Sequence, residues 1–189
     1  MDIIATPTRM MILLAAFFTA CSLPGFHTRK SEGEGIGILE TDDISVVLEG
    51  EGIWLRITPI DESILKYCTE DTRAMYNTIL KTHPEISEGL KGKIFLMHFQ
   101  GRTEPETYFE PTEVEILHQG GRYRPLRIIP HTPDFDKRVL AFFGNPQMAI
   151  YIFSEEIDFE FPITFRYKTL ENRNWDQIIE RVKDAKTKY

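Results

Sequence analysis

The chain has 189 residues, 42% of them apolar and 27% charged, with 13 Phe, 7 Tyr and 2 Trp; this is the usage of one packed domain and excludes an intrinsically disordered chain. The formal net charge of −7 excludes the basic excess that nucleic-acid binding requires, since that affinity comes largely from Lys and Arg displacing phosphate counterions. Two cysteines, Cys21 and Cys68, are too few for the multi-bridge framework of a small secreted scaffold.

The first element in chain order is the uncharged run of residues 10–20 (MMILLAAFFTA), which follows Arg9 and ends in small residues before Cys21. A spanning helix needs about 20 apolar residues, so this length predicts the core of an export signal instead. Phe18-Thr19-Ala20-Cys21 resembles the lipobox of bacterial lipoproteins, in which a small residue precedes a cysteine that is diacylated, freed by a dedicated peptidase and often N-acylated; the family prefers Leu where this chain has Phe18. The resemblance implies a signal peptide over residues 1–20, palmitate-type acyl chains on Cys21 and a chain held on the bacterial cell envelope. Ser22 stands where an Asp commonly signals inner-membrane retention, which implies sorting to the outer membrane. An ordinary signal peptide cut near Ala20, leaving a free secreted protein, is the alternative. With Cys21 lipidated, Cys68 is left alone and reads as a small buried apolar residue.

Residues 21–37 hold the cysteine and a polar, Gly-rich stretch (HTRKSEGEGIG, 27–37) with few anchoring apolar groups, so they read as a flexible tether to a single domain over residues 38–189. Period-two alternation then dominates. Ile44, Val46 and Leu48, a Gly50-Glu51-Gly52 turn, and Ile53, Leu55 and Ile57 predict a β-hairpin. Ile64, Leu65, Cys68, Met75, Tyr76, Ile79 and Leu80 recur at helical spacing with Asp61 or Thr69 as caps, predicting one helix or two short ones within residues 61–82. Strands are predicted at 93–100, 112–118, 123–129, 139–143 and 148–153, separated by Gly- or Pro-bearing turns. Over 159–167 the residues Phe159, Phe161, Ile163, Phe165 and Tyr167 share one strand face; Pro162 lacks a ladder donor, so that strand is an edge or is broken there. About eight strands result. Asn174-Trp175-Asp176-Gln177 has the form of a capping box opening a closing helix that runs to about Lys186.

This order of elements predicts a mainly β fold, an antiparallel sandwich or a partly open barrel, with one helical insertion and a C-terminal helix. The strand before Phe109-Glu110-Pro111 and the returning hairpin that ends in Gly120-Gly121-Arg122-Tyr123 resemble the immunoglobulin-like accessory domains of many bacterial lipoproteins. That resemblance covers about a fifth of the chain, lacks a Cys-Trp-Cys signature and implies fold only.

No phosphate loop, nucleophile elbow, His-Glu-x-x-His, Cys-x-x-Cys or calcium loop is present in the sequence. His131, Asp134 and Asp136 make a weak metal-ligand candidate in a loop, with a capped turn as the commoner outcome for such a pattern. His98 and His118 on neighbouring strands would make a metal half-site only if register brought them together. Arg122, Arg124 and Arg127, followed by Lys137 and Arg138, are the one basic concentration, a docking face for an anionic surface such as lipopolysaccharide or an acidic partner, or a solvated strand face paired with Glu. Trp175, Ile178, Ile179 and Val182 form the apolar stripe of the closing helix, which either packs on the domain or projects as a helix-in-groove ligand. The expectation is a lipid-anchored envelope protein that acts as a binding, accessory or assembly subunit with envelope protein partners, without catalysis, cofactor or nucleic acid. A lipid-anchored metal-dependent hydrolase, or a carrier of lipid or a small apolar ligand, is the alternative.

Overall fold

The computed structural model describes residues 37–50, 52–87, 91–102, 107–133, 135, 139–141 and 146–188. The predicted export signal, Cys21 and all of the predicted tether but Gly37 lie outside those residues, as do Asp134, Asp136, Lys137 and Arg138.

The chain is mainly β. After a 3-10 turn (Thr41–Ile44) come β1 (Val46–Gly50) and β2 (Ile53–Pro59), paired as the predicted hairpin with Gly50 opposite Ile53 and Gly52 supplying a positive φ of 76° in the connection. The helical insertion follows as α1 (Glu62–Leu65), α2 (Glu70–Lys81) and α3 (Pro84–Ser87). Both predicted caps form: Asp61 accepts from the Ser63 amide and Thr69 from the Thr72 amide. Then come β3 (Lys93–Gly101), β4 (Thr107–Phe109), β5 (Val114–His118), β6 (Gly121–Tyr123), β7 (Arg127–Pro130), β8 (Val139–Ala141), β9 (Gln147–Phe153), β10 (Ile163–Tyr167) and β11 (Leu170–Asn172). The chain closes with α4 (Trp175–Thr187).

Two antiparallel sheets result, β1-β2-β3-β9-β7 and β11-β10-β5-β6, beside a small β4-β8 pair. Neither sheet closes on itself, so of the two predicted architectures the sandwich is the one formed. Its core is aromatic. Phe95 of the first sheet meets Phe165 of the second edge-to-face at 5.4 Å between ring centres, and Phe99 stacks on Phe109 at 4.5 Å. Tyr151 from β9 donates to the Pro111 carbonyl, and the Tyr167 hydroxyl of β10 accepts from the Glu110 amide, so both sheets grip the segment that leads into β5. α4 plugs one open end: the Trp175 ring lies within 6.4 Å of Phe95, Phe159 and Phe165, and its Nε1–H donates to the Phe159 carbonyl at 3.0 Å.

Three strand predictions need correction. Residues 123–129 are not one strand; Arg124-Pro125-Leu126 carries the chain from β6 in one sheet to β7 in the other, and Pro125 cannot donate to either ladder. The strand expected over 159–167 breaks at Pro162, one of the two outcomes expected there, and starts at Ile163, so the correction is Phe161, which is exposed instead of on the inner face with Phe159 and Ile163. Residues 111–113 form a 3-10 turn, so the strand expected from Thr112 begins at Val114 instead. The central strands are buried on both faces: Leu96 and Ile150, which alternate away from the sandwich core, are fully covered. Part of that cover is the helical insertion, whose Tyr76 lies against Thr58 and Arg56 of β2.

Candidate functional site

Alternation on β5 turns Val114 and Ile116 into the core and therefore sends Glu115 to the outer face of the second sheet. Register then decides its neighbours. Arg166 on β10 is directly opposite Glu115, and Arg122 on β6 is opposite Leu117, one step along the same face. Arg166 donates to Glu115 Oε2 through Nε (3.1 Å) and Nη2 (2.6 Å), while Arg124 Nε (3.1 Å) and Arg122 Nη2 (2.5 Å) both reach Oε1. Three guanidiniums thus converge on one carboxylate and cover it, leaving Glu115 3% exposed. Burial opposes its ionisation, but hydrogen bonds from Arg122, Arg166 and Arg124 outweigh that and bring the carboxyl down to about 2. Arg166 also lies 4.0 Å from Glu171, which Arg173 holds at 3.1 Å. Four arginines against two glutamates leave this face with two positive charges on a chain whose net charge is −7.

The predicted basic patch is therefore divided. Arg122 and Arg124 belong to the Glu115 cluster, whereas Arg127 stands on β7 at the edge of the other sheet, beside an open hollow of about 290 Å³ with Leu126 and Phe135. Sequence reasoning missed Glu115 and Arg166. The available signal was a carboxylate inside the apolar run Val114-Glu115-Ile116-Leu117, a residue type that is seldom buried unless paired.

On α4, Trp175, Ile178 and Val182 are buried against the domain and Ile179 is half-buried, so the stripe faces its own sandwich. His131, at the end of β7, meets His83 from the turn between α2 and α3, Nδ1 to Nε2 at 3.0 Å, and His83 Nδ1 lies 3.3 Å from Glu85. Burial and then the neighbouring His83 lower the His131 pKa. Among the described residues no group of three His, Cys, Asp or Glu is placed to hold a metal. His98 and His118 stand on different sheets and are not brought together. His118 donates from Nδ1 to the Pro162 carbonyl and accepts the Asp158 amide at Nε2, so it pins the turn before β10. His98 has a buried Nδ1 with no partner; burial first, then Arg56 and His131, push it down to about 4. Cys68 is fully buried and free, its thiol pointing to the Ile64 carbonyl and raised to about 12 by burial. No described helix is long and apolar enough to cross a membrane. No family model, curated protein or solved structure matches the chain.

Proposed function

We propose that this chain is a membrane-tethered binding subunit of the bacterial envelope, held by lipid on Cys21 and engaging an acidic protein partner through the arginine face of its second sheet. The observation that carries the reading is the Glu115 cluster. A carboxylate saturated by three guanidiniums fixes their positions, and each guanidinium has five donors, of which Arg122 and Arg124 spend one each and Arg166 two on Glu115. Arg124 and Arg122 keep 68% and 56% of their side-chain surface exposed to a partner. Prearranged side chains lose less freedom on binding, and a planar fork suits a carboxylate in a way a flexible lysine does not. The role is accessory or assembly-related, and it asks no chemistry of the site.

The test places a photo-crosslinking residue at position 164, on β10 and on the same face as Arg166, in the full-length chain expressed in a bacterium with a lipoprotein pathway, with and without Cys21→Ser. Intact mass is expected to show loss of residues 1–20 and a gain of acyl chains on the wild type alone. A discrete protein adduct is expected that disappears in Arg122→Ala/Arg124→Ala. An unlipidated wild type overturns the tether; an adduct unchanged in the arginine variant overturns the face.

A further inference from the structure

A second surface feature lies away from the arginine cluster, between α1 and the length of the closing helix α4. It is a cleft of about 240 Å³. Trp175, 1% exposed, and Ile178 form its apolar floor, and Ile64 of α1 forms one wall. Phe161 stands at the mouth with 47% of its surface exposed. That exposure is built into the backbone: the turn carrying Phe161 is clamped on both sides by His118, through the Asp158 amide and the Pro162 carbonyl. The rim carries Lys183 and Lys186, three residues apart on α4 and so on one side of the helix, against one acidic lining residue among those described, Glu160. A mixed slot with an apolar floor of Trp175 and Ile178 beneath two ammonium groups suits an amphiphile, with the tail on the floor and an anionic head at the rim.

The path of the chain bears on where such an amphiphile comes from. The described chain begins at Gly37, packed so closely on the Tyr67 and Cys68 backbone that a Cβ there would meet the Cys68 carbonyl oxygen at 2.2 Å. The Leu39 amide then donates to Tyr67, whose own amide donates to Ile64 on the cleft wall. The segment leading back to Cys21 therefore joins the domain within one helical turn of the cleft. Fifteen residues, 22–36, lie between Cys21 and Gly37, a reach of about 50 Å when extended.

We propose that the α1–α4 cleft is a lipid-docking site that takes an acyl chain of an anionic phospholipid from the membrane, with Lys183 and Lys186 on the phosphate. The inference rests on the tether reading for the nearness of a bilayer and on the cleft alone for its chemistry. Docking would give the domain a fixed orientation on the membrane, which a flexible tether by itself does not.

The experiment uses the full-length chain carrying Cys21→Ser, so that no covalent lipid is present, and Trp54→Phe, which leaves Trp175 as the single tryptophan. Vesicles of phosphatidylglycerol with brominated acyl chains are added, with brominated phosphatidylcholine vesicles as the comparison. Trp175 fluorescence is expected to be quenched by the phosphatidylglycerol vesicles. Lys183→Glu/Lys186→Glu is expected to weaken the apparent affinity about tenfold or more, and Phe161→Asp to reduce the quenching at saturation. Both variants change exposed residues, and their thermal midpoints confirm that they are folded. No quenching, or quenching equal in all three chains, overturns the proposal. Quenching by monomeric brominated decanoate without a response to vesicles overturns the membrane as its source. Because acylation of Cys21 plays no part in this measurement, failure of the cleft and failure of the tether are read separately.

Discussion

A carboxylate with almost no exposed surface remains an anion only where its neighbours replace the water it has lost, and at Glu115 three arginines do so. The arrangement is asymmetric in its sensitivity. Glu115→Gln removes the one group on which all three guanidiniums converge, and the loss is expected to be about 3 kcal/mol of unfolding free energy by urea titration. Arg124→Ala removes one well-exposed member of the set and is expected to cost under about 1 kcal/mol in the same assay. Equal effects would show that the cluster does not act through Glu115. Arg122 and Arg124 were legible as candidates because they lie close together in the sequence. Glu115 and Arg166 were not, because they are 51 residues apart and alternation reveals the face a residue occupies without revealing which strand lies beside it.

Among the elements, the caps of the helical insertion were legible because the N-terminal amides of a helix must be satisfied locally. Thr69→Ala is expected to cost about 1 kcal/mol. The capping box read at Asn174 did not form: the Asn174 side chain makes no cap bond, and Asn172 instead accepts the Asn174 amide at 2.7 Å while donating to the Val47 carbonyl at 2.7 Å. A short motif could not show that a side chain two residues earlier joins both the helix entry and another sheet. Asn172→Ala is therefore expected to lower the thermal midpoint clearly more than Asn174→Ala, and the reverse order would restore the capping box. Two of the departures from the expected strands share a cause. The apolar pattern continues across Pro125 and Pro162, but the ladder needs donors that proline lacks, so the chain changes sheet at the first and begins a strand after the second.

At the scale of the whole molecule, the fold class was legible from periodicity, whereas the cover over the outer face of β2, β3 and β9 was not, since a strand buried on both faces and a buried helix turn read alike. That cover buries His98, whose Nδ1 has no partner, beside Arg56. His98 falls from an ordinary 6.5 to about 4 on folding, so its contribution is complete above 6.5 and is lost as pH falls toward 4, amounting to roughly 3 kcal/mol. Glu115 adds a second loss between its ordinary 4.5 and about 2. Denaturant midpoints are expected to decline from pH 7 to 4, and His98→Leu to flatten that decline; an unchanged slope would remove His98 as its cause. The bond from Asn172 to Val47 also joins residues 125 apart, and Arg181 donates to the Asp43 carbonyl across 138. Among the described residues, the outer edge of the first hairpin is thus met by β10 and β11, the last strands to be made. At ribosomal rates of about 5–20 residues per second, that leaves it waiting roughly 6–25 seconds. A first hairpin whose open edge is met only by the last-made strands leaves the fold unfinished until synthesis is nearly complete.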